Sequence, residues 1–268
     1  MKLFINITIE IDALHRGFIT LDRPEKHNAF NELLIQELTD ALDYFGTIND
    51  LRCLVLKANG KSFCAGADLD WMKRMAVLDQ DANYQDAFKL ATLLEKLNAF
   101  PRPTIAIVQG PAYGGGVGLI ACCDIVIAHE KTNFTLSEVK LGLVASTIAP
   151  YIINAIGQRH ARRYLLSAEL FSAKDALDMG LVHQTWNDLD FQEKTDKMLA
   201  QILNGDPIAQ QISKKLIFDL GTTISIDTLK QETSKIIAER RASNEGKEGL
   251  NAFFEKRQPA WTKEFAKK

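Results

Sequence analysis

The sequence predicts an α/β fold in which helices cover a sheet of buried strands, followed by a helical C-terminal region. Near-continuous apolar runs, such as Thr104 to Val108, are typical of strands that are buried on both faces of a sheet. Glycine turns lead from such strands into helical patterns, so one unit of strand, turn and helix recurs along most of the chain. Beyond Gly205 the strand signal is lost, and helices are predicted at 208–220, 226–242 and about 247–256.

The first elements follow from hydrophobic periodicity and capping residues. Isoleucines alternate with polar residues between positions 5 and 11, and with the extended run at 17–21 they predict a β-hairpin. Asn31 is placed to cap a helix that ends at Gly46. Residues 51–57 form a short apolar run and are predicted to be the next strand.

Helices and strands then alternate up to the second glycine turn. One helix is predicted to begin near Asp68, and the polar stretch 79–85 is expected to be a mobile segment before a helix that reaches about Ala99. After the glycines a short helix is expected at 117–122 and a strand at 124–128.

Composition and charge exclude several classes of protein. A net charge of −2 without a long basic run argues against nucleic acid as the main partner, because phosphate contacts need clustered Lys and Arg. No apolar run reaches the length of about 20 residues that a membrane span needs. None of the cysteines is in a CxxC pair and the histidines lack metal-ligand spacing, so we expect reduced thiols, a cytoplasmic protein and no metal.

Two glycine turns could bind a negatively charged oxygen. Residues 64–68 and 114–117 each follow a buried strand and lead into a helix, whose first N–H groups have no intrahelical partner. One donor from each turn could meet at a single carbonyl oxygen, which is typically worth about 3 kcal/mol per donor in a transition state. Each turn alone could equally be a packing feature.

A dinucleotide-binding interpretation fits less well. Gly116, Gly118 and Ala121 match the glycine fingerprint, but the next strand starts too soon after them. A parallel crossover with a full helix needs roughly 10–12 residues.

Glu138 is the candidate for proton transfer. The apolar residues Leu136 and Val139 lie close to it in the sequence, and apolar surroundings raise the pKa of a carboxyl group towards neutrality. A single Glu is more often a surface residue, so this pattern alone leaves both interpretations open.

Five segments together resemble the crotonase (enoyl-CoA hydratase/isomerase) family, in the family's order. They are residues 23–29, 63–69, 110–125, 134–142 and 253–257. Within the family, the run from the second glycine turn to Tyr151 is most similar to bacterial methylglutaconyl-CoA hydratase-type members.

The resemblance implies a crotonase-type spiral of ββα units with a helical C-terminal oligomerisation region. Residues 1–204 would be the core for acyl-CoA binding and catalysis, and residues 205–268 the helical region. The expected partners are an acyl-CoA thioester substrate and further copies of the chain, in a homotrimer or a dimer of trimers. No separate cofactor is expected, because coenzyme A is part of the substrate.

The resemblance also implies roles for individual residues. The catalytic group would be Glu138, with an oxyanion hole formed by the main-chain N–H groups of Ala67 and Gly115. The residues expected along the substrate and CoA are Lys26, Ala29, Ala65, Asp68, Leu69, Gly114, Phe253 and Lys256, the last from a neighbouring subunit. For the two lysines, a solvated surface position is an equal alternative.

One position departs from the family pattern. Hydratases of the family usually carry a second Glu where this sequence has Gly118. The first hypothesis is an enoyl-CoA hydratase acting on a 2-enoyl-CoA, possibly a branched one. The alternatives are a Δ3,Δ2-enoyl-CoA isomerase with Glu138 as sole proton shuttle, and a non-catalytic CoA- or RNA-binding scaffold.

Overall fold

A computed structural model describes residues 3–220 and 225–263 of the chain. The chain divides into two compact units, residues 1–196 and 197–268. The change from core to helical region that the sequence suggests, between residues 204 and 205, lies shortly after this division.

The first unit alternates strands and helices. Its elements are β1 (Ile7–Ile11), β2 (Arg16–Leu21), α1 (Glu32–Gly46), β3 (Cys53–Ala58), α2 (Leu69–Met75), α3 (Gln80–Asn98), β4 (Thr104–Val108), β5 (Ala112–Tyr113), α4 (Gly115–Ala121), β6 (Ile125–His129), β7 (Asn133–Thr135), α5 (Ala149–Ser167), β8 (Phe171–Ser172), α6 (Ala173–Asp178) and β9 (Gln184–Trp186). Helix α7 (Phe191–Leu203) runs across the division between the units.

The strands form two sheets. A six-stranded sheet has the order β1-β2-β3-β4-β6-β9, and a smaller one has the order β5-β7-β8. Strands β1 and β2 are antiparallel, whereas every later pair in the large sheet is parallel. The parallel pairs require crossovers, and the second strand of the small sheet, β7, directly precedes the segment that carries Glu138.

Most of the predicted elements are confirmed, with one error. The hairpin, the helix capped by Asn31 and the buried strand at 104–108 are present, and the Asn31 side chain accepts a hydrogen bond from the amide of Leu34. The prediction of a mobile segment at 79–85 is wrong. Helix α3 begins at Gln80, and Asp79 caps it by accepting from the amide of Ala82. The sequence does not indicate this start, because the first turns of the helix are polar and lack the apolar periodicity that marks a packed helix.

The core of the first unit is continuous. The largest fully buried side chains include Phe30, Phe45, Phe63 and Phe134, and they belong to one cluster with the aliphatic residues of β3 and β4. Burial of aromatic side chains on this scale is a dominant stabilising contribution. Phe30 also contacts the second glycine turn, so the core and the candidate site are packed together.

The second unit is helical in its described part. Besides the end of α7, its helices are α8 (Pro207–Leu220), α9 (Ile226–Ala242), α10 (Asn244–Phe254) and α11 (Ala260–Lys263). Three of them correspond to the predicted helical stretches. Within the unit, Arg240 pairs with Asp206 across 3.1 Å. None of the helices in the described part of either unit is long and apolar enough to cross a membrane.

Candidate active site

The two glycine turns lie against each other. The amide of Tyr113 donates to the carbonyl oxygen of Cys64 across 2.9 Å, as part of a bridge between Cys64 and Ala112. The approach is close enough that a Cβ atom on Gly116 would lie 2.6 Å from the Cys64 oxygen. Gly116 therefore has no side chain for a packing reason, and this packing holds the turns together.

The N–H group of Ala67 points away from its neighbouring chain segment. Phe30 donates to the Gly66 oxygen across 2.6 Å and accepts from the Asp68 amide across 2.8 Å, in a parallel bridge with Ala67. In such a bridge the hydrogen bonds come from the residues on either side of the bridged one. Gly66 makes the turn possible with φ of +85°, a conformation that favours glycine.

Gly115 begins helix α4, so its N–H group has no intrahelical acceptor. Within the part of the chain that the structure describes, neither its amide nor that of Ala67 donates a hydrogen bond. Both residues line one cavity of about 350 Å³, here called the site cavity. Two free donors therefore border the same space.

Glu138 lines the same cavity. It opens a 3₁₀ turn (Glu138–Leu141) that ends at Gly142 with φ of +72°. Its Oε1 atom lies 2.9 Å from the place where a Cβ atom on Gly114 would be. Its Oε2 atom is buried and has no hydrogen-bond partner among the described residues. Burial raises the pKa of this carboxyl group, opposed by a hydrogen bond from its own backbone, as the sequence suggests.

Ile148 fills the space beside Gly118. A Cβ atom on Gly118 would lie 2.3 Å from Ile148 Cγ2 and 2.9 Å from Ile148 Cβ. Ile148 is 2% exposed and lines the site cavity. A second carboxylate therefore cannot enter at residue 118 without displacing a buried, β-branched side chain.

Comparison with known proteins places this geometry in a family. The profile of the family described as "Enoyl-CoA hydratase/isomerase" matches residues 17–264. The chain belongs to this family. It is 30% identical over 252 residues to the human mitochondrial enoyl-CoA hydratase domain-containing protein 3, an alignment that covers 92% of this chain and 80% of the relative.

Solved structures of proteins with similar sequences have the same fold. An enoyl-CoA hydratase from Shewanella pealeana superimposes with a TM-score of 0.91 at 45% identity, covering 96% of each chain. AtuE from Pseudomonas aeruginosa gives a TM-score of 0.91 at 31% identity, covering 96% of this chain and 99% of the other. The crotonase-type α/β fold predicted from the sequence is confirmed.

Residues 23–29, the first of the five segments that resemble the family, lie next to the first glycine turn. The Ala65 amide donates to the His27 oxygen across 3.0 Å. Asn28 is fully buried, adopts φ of +54°, and its Nδ2 donates to the carbonyl oxygens of Asn59 and Ser62. These contacts fix Ala29, which is buried, beside the site. Lys26 is half-exposed and pairs with Asp70 across 3.3 Å.

Asp68 is engaged in structural contacts. Its carboxylate caps α2 by accepting from the amides of Asp70 and Trp71, and it pairs with Arg23 across 2.9 Å. Burial alone would raise the pKa of Asp68, but these amides and the guanidinium lower it. Because the side chain is occupied, a contact with CoA through Asp68 would come from its main chain, and it stays a prediction.

The remaining predicted binding residues differ in position. Ala65, Leu69 and Gly114 line the site cavity. Phe253 and Lys256 belong to the second unit, where the Phe253 ring is exposed at the end of α10. Their contact with CoA, which for Lys256 is expected from a neighbouring subunit, stays a prediction.

Other chemistry is not supported by the surroundings of the residues that could perform it. Cys64 is fully buried, and burial raises the pKa of its thiol to about 12, which suppresses the reactive thiolate. Among residues 3–220 and 225–263 there is no group of three His, Cys, Asp or Glu side chains that could hold a metal ion.

Sequence reasoning missed two polar side chains near the site, Trp71 on α2 and Asp86 on α3. Both line a cavity that adjoins the site cavity. Trp71 carries a weak signal, because it follows the Asp68 cap at the spacing of an inward-facing helical residue. Asp86 carries none, since it directly follows the polar stretch 79–85, whose pattern resembles a loop.

Proposed function

We propose that the chain is an enoyl-CoA hydratase that adds water to the 2,3 double bond of an acyl-CoA thioester. One observation carries the proposal: two unoccupied main-chain donors and a buried, unpartnered carboxylate oxygen border the same cavity. This is the arrangement that enolate chemistry on a thioester requires, with donors for the oxygen and a proton carrier for the carbons.

In the proposed reaction, the thioester oxygen accepts hydrogen bonds from the amides of Ala67 and Gly115. Glu138 takes a proton from water while the water oxygen bonds to C3. The π electrons of the double bond move towards the thioester and form an enolate, which the two amides stabilise. Glu138 then returns the proton to C2, so that the carboxylate is regenerated and one water molecule has been added.

The raised pKa of Glu138 suits this cycle. A carboxyl group whose pKa lies nearer to the operating pH binds a proton for part of the cycle and releases it again. The two donors belong to rigid turns packed against each other, so little reorganisation is needed when charge develops on the oxygen. CoA is part of the substrate, and the proposed steps use no separate cofactor.

A second candidate is a Δ3,Δ2-enoyl-CoA isomerase. Ile148 in the space beside Gly118 favours it, because a single carboxylate can move a proton between C4 and C2 without water. A branched acyl group of the methylglutaconyl type and an assembly of trimers remain expectations from the family resemblance. Size-exclusion chromatography with light scattering tests the assembly.

The deciding experiment follows the absorbance of the conjugated thioester. Hydration of a 2-enoyl-CoA removes this absorbance, and isomerisation of a 3-enoyl-CoA creates it. For the hydratase we expect loss of absorbance with wild type, and a decrease in rate of roughly 10²–10⁴-fold in Glu138→Gln. The matched control is Glu10→Gln, at an exposed position on β1, which should behave as wild type.

The other outcomes each decide against the hydratase. Conversion of 3-enoyl-CoA without any hydration assigns the isomerase. Binding of CoA without turnover of either substrate, unchanged in Glu138→Gln, assigns the non-catalytic scaffold.

A further inference from the structure

The site cavity adjoins a second and larger space of about 740 Å³. Trp71, Met72 and Leu90 line both spaces. We call the part beyond them the distal cavity, and it is bordered by Met75, Ala76, Asn83, Asp86, Ala87 and Ser146.

An acyl group bound as proposed extends into the distal cavity. Ala65 and Leu69, which are expected along CoA, line only the site cavity. When Ala67 and Gly115 hold the thioester oxygen, the CoA part of the substrate therefore lies towards Ala65. The acyl group then extends past Trp71 into the distal cavity, where the side chains at its far end contact the tail of the acyl group.

Trp71 presents a buried donor there. The residue is 7% exposed, and its Nε1 atom has no partner in hydrogen-bond geometry among the described residues. An indole N–H buried without an acceptor is costly and uncommon in folded proteins. A group that completes this hydrogen bond when it enters the cavity would gain affinity.

Asp86 presents an acceptor beside the indole. Burial raises the pKa of this carboxyl group and so does the nearby Glu32 carboxylate; the Lys89 charge opposes the rise, and so does the Trp71 indole N–H, which approaches the carboxyl group without reaching hydrogen-bond geometry. No cation lies within ion-pair distance of Asp86 in the described part of the chain. The neighbouring Asn83 amide is already used, because its Nδ2 donates to three carbonyl oxygens of the preceding turn.

We propose that Trp71 and Asp86 form a polar end of the acyl pocket that selects acyl groups with a neutral hydrogen-bonding tail, such as a hydroxyl. A hydroxyl oxygen accepts from the indole N–H and its hydrogen donates to the carboxylate. A methyl tail offers neither group a hydrogen bond, and a carboxylate tail meets the like charge of Asp86. This inference rests on the proposed function and names its substrate class.

The test compares 2-enoyl-CoAs of increasing chain length, each made with a methyl, hydroxyl or carboxylate terminus. At the length that reaches the distal cavity, we expect kcat/KM for the hydroxyl tail to exceed that for the methyl tail about threefold to tenfold. We expect the carboxylate tail to be the poorest of the three. Trp71→Phe and Asp86→Asn should each bring the hydroxyl-to-methyl ratio towards one, and Asp86→Asn should also reduce the discrimination against the carboxylate.

Asp81→Asn is the matched control, because Asp81 is exposed on the same helix and does not line the cavity; it should leave all ratios as in wild type. A wild-type preference for methyl or carboxylate tails, or ratios that neither variant changes, overturns the proposal. Calorimetric binding of the matching saturated acyl-CoAs gives the same ratios without turnover. Failure of hydration therefore counts against the proposed function alone, and failure of the binding ratios counts against the polar end.

Discussion

Gly116→Ala tests whether the packing of the two glycine turns sets the geometry of the oxyanion hole. The new Cβ would lie 2.6 Å from the carbonyl oxygen of Cys64 and 2.8 Å from its Cβ. Carbon–oxygen contacts do not come much closer than about 3.3 Å, so the turns must separate by roughly 0.7 Å. Gly116 is inside α4 with helical backbone angles, and alanine is therefore allowed there by the backbone.

Two opposing contributions determine the effect on stability. Overpacking costs typically about 1–3 kcal/mol, and the higher helix propensity of alanine recovers up to about 1 kcal/mol. The expected net loss of about 1–2 kcal/mol lowers the Tm by roughly 2–4 °C per kcal/mol in a protein of this size. Activity should suffer more, since a misplacement of about 1 Å can cost on the order of 10²-fold in rate.

The assay is enoyl-CoA hydration together with thermal melting of the same preparation. We expect kcat to fall roughly 10–100-fold with a smaller change in KM, because the donors act mainly on the transition state. Gly46→Ala is the control: it also lies in a helix, and nothing is within 4 Å of its added Cβ. If Gly116→Ala keeps wild-type kcat and Tm, the turns do not depend on this contact and the reasoning is refuted.

Three further predictions concern stability and its pH dependence, all measured by thermal melting. Gly118→Ala should cost about 1–3 kcal/mol of stability by overpacking against Ile148. In the double variant with Ile148→Ala, the loss of stability should be at least about 1 kcal/mol smaller than the sum of the two single losses; strict additivity would contradict the contact. Asp68→Ala should cost about 1–2 kcal/mol at neutral pH through loss of the α2 cap and the Arg23 partner. Because the folded-state pKa of Asp68 is lowered, that difference should shrink as the pH falls below 3.8, and a constant difference would count against it. The pKa of Glu138 is raised, so wild type should lose stability relative to Glu138→Gln as the pH rises from 4.5 to the raised value; a flat or opposite trend would show that burial does not disfavour the charged carboxylate.

Local patterns in the sequence were sufficient for most of the elements. The strand at Thr104–Val108 and the cap at Asn31 are determined by residues that are adjacent in the chain. The prediction for the polar start of α3 was wrong because it, too, used only residues that are adjacent in the chain. Its local pattern resembles a loop, and the Asp79 cap is visible only once the helix is known.

The site was predictable only as far as its parts carry their own signal. The local sequence and the resemblance to the family indicate the two glycine turns and Glu138. Ile148 lies 30 residues beyond Gly118 in the sequence, and nothing local indicates that the two are in contact. That Trp71 on α2 and Asp86 on α3 line the same cavity depends in the same way on the tertiary structure.

The contact between Gly118 and Ile148 links packing to the choice of reaction. The Ile148 side chain and a second carboxylate at residue 118 cannot both fit, since even a single Cβ on residue 118 would lie 2.3 Å from Ile148 Cγ2. Water in the proposed hydratase must then be held and deprotonated by Glu138 itself. Hydration and isomerisation would use the same carboxylate and the same oxyanion hole, and they would differ in whether a water molecule fits between Glu138 and C3. The shape of the site cavity around the bound acyl group, rather than the number of carboxylates, would then decide which reaction is catalysed.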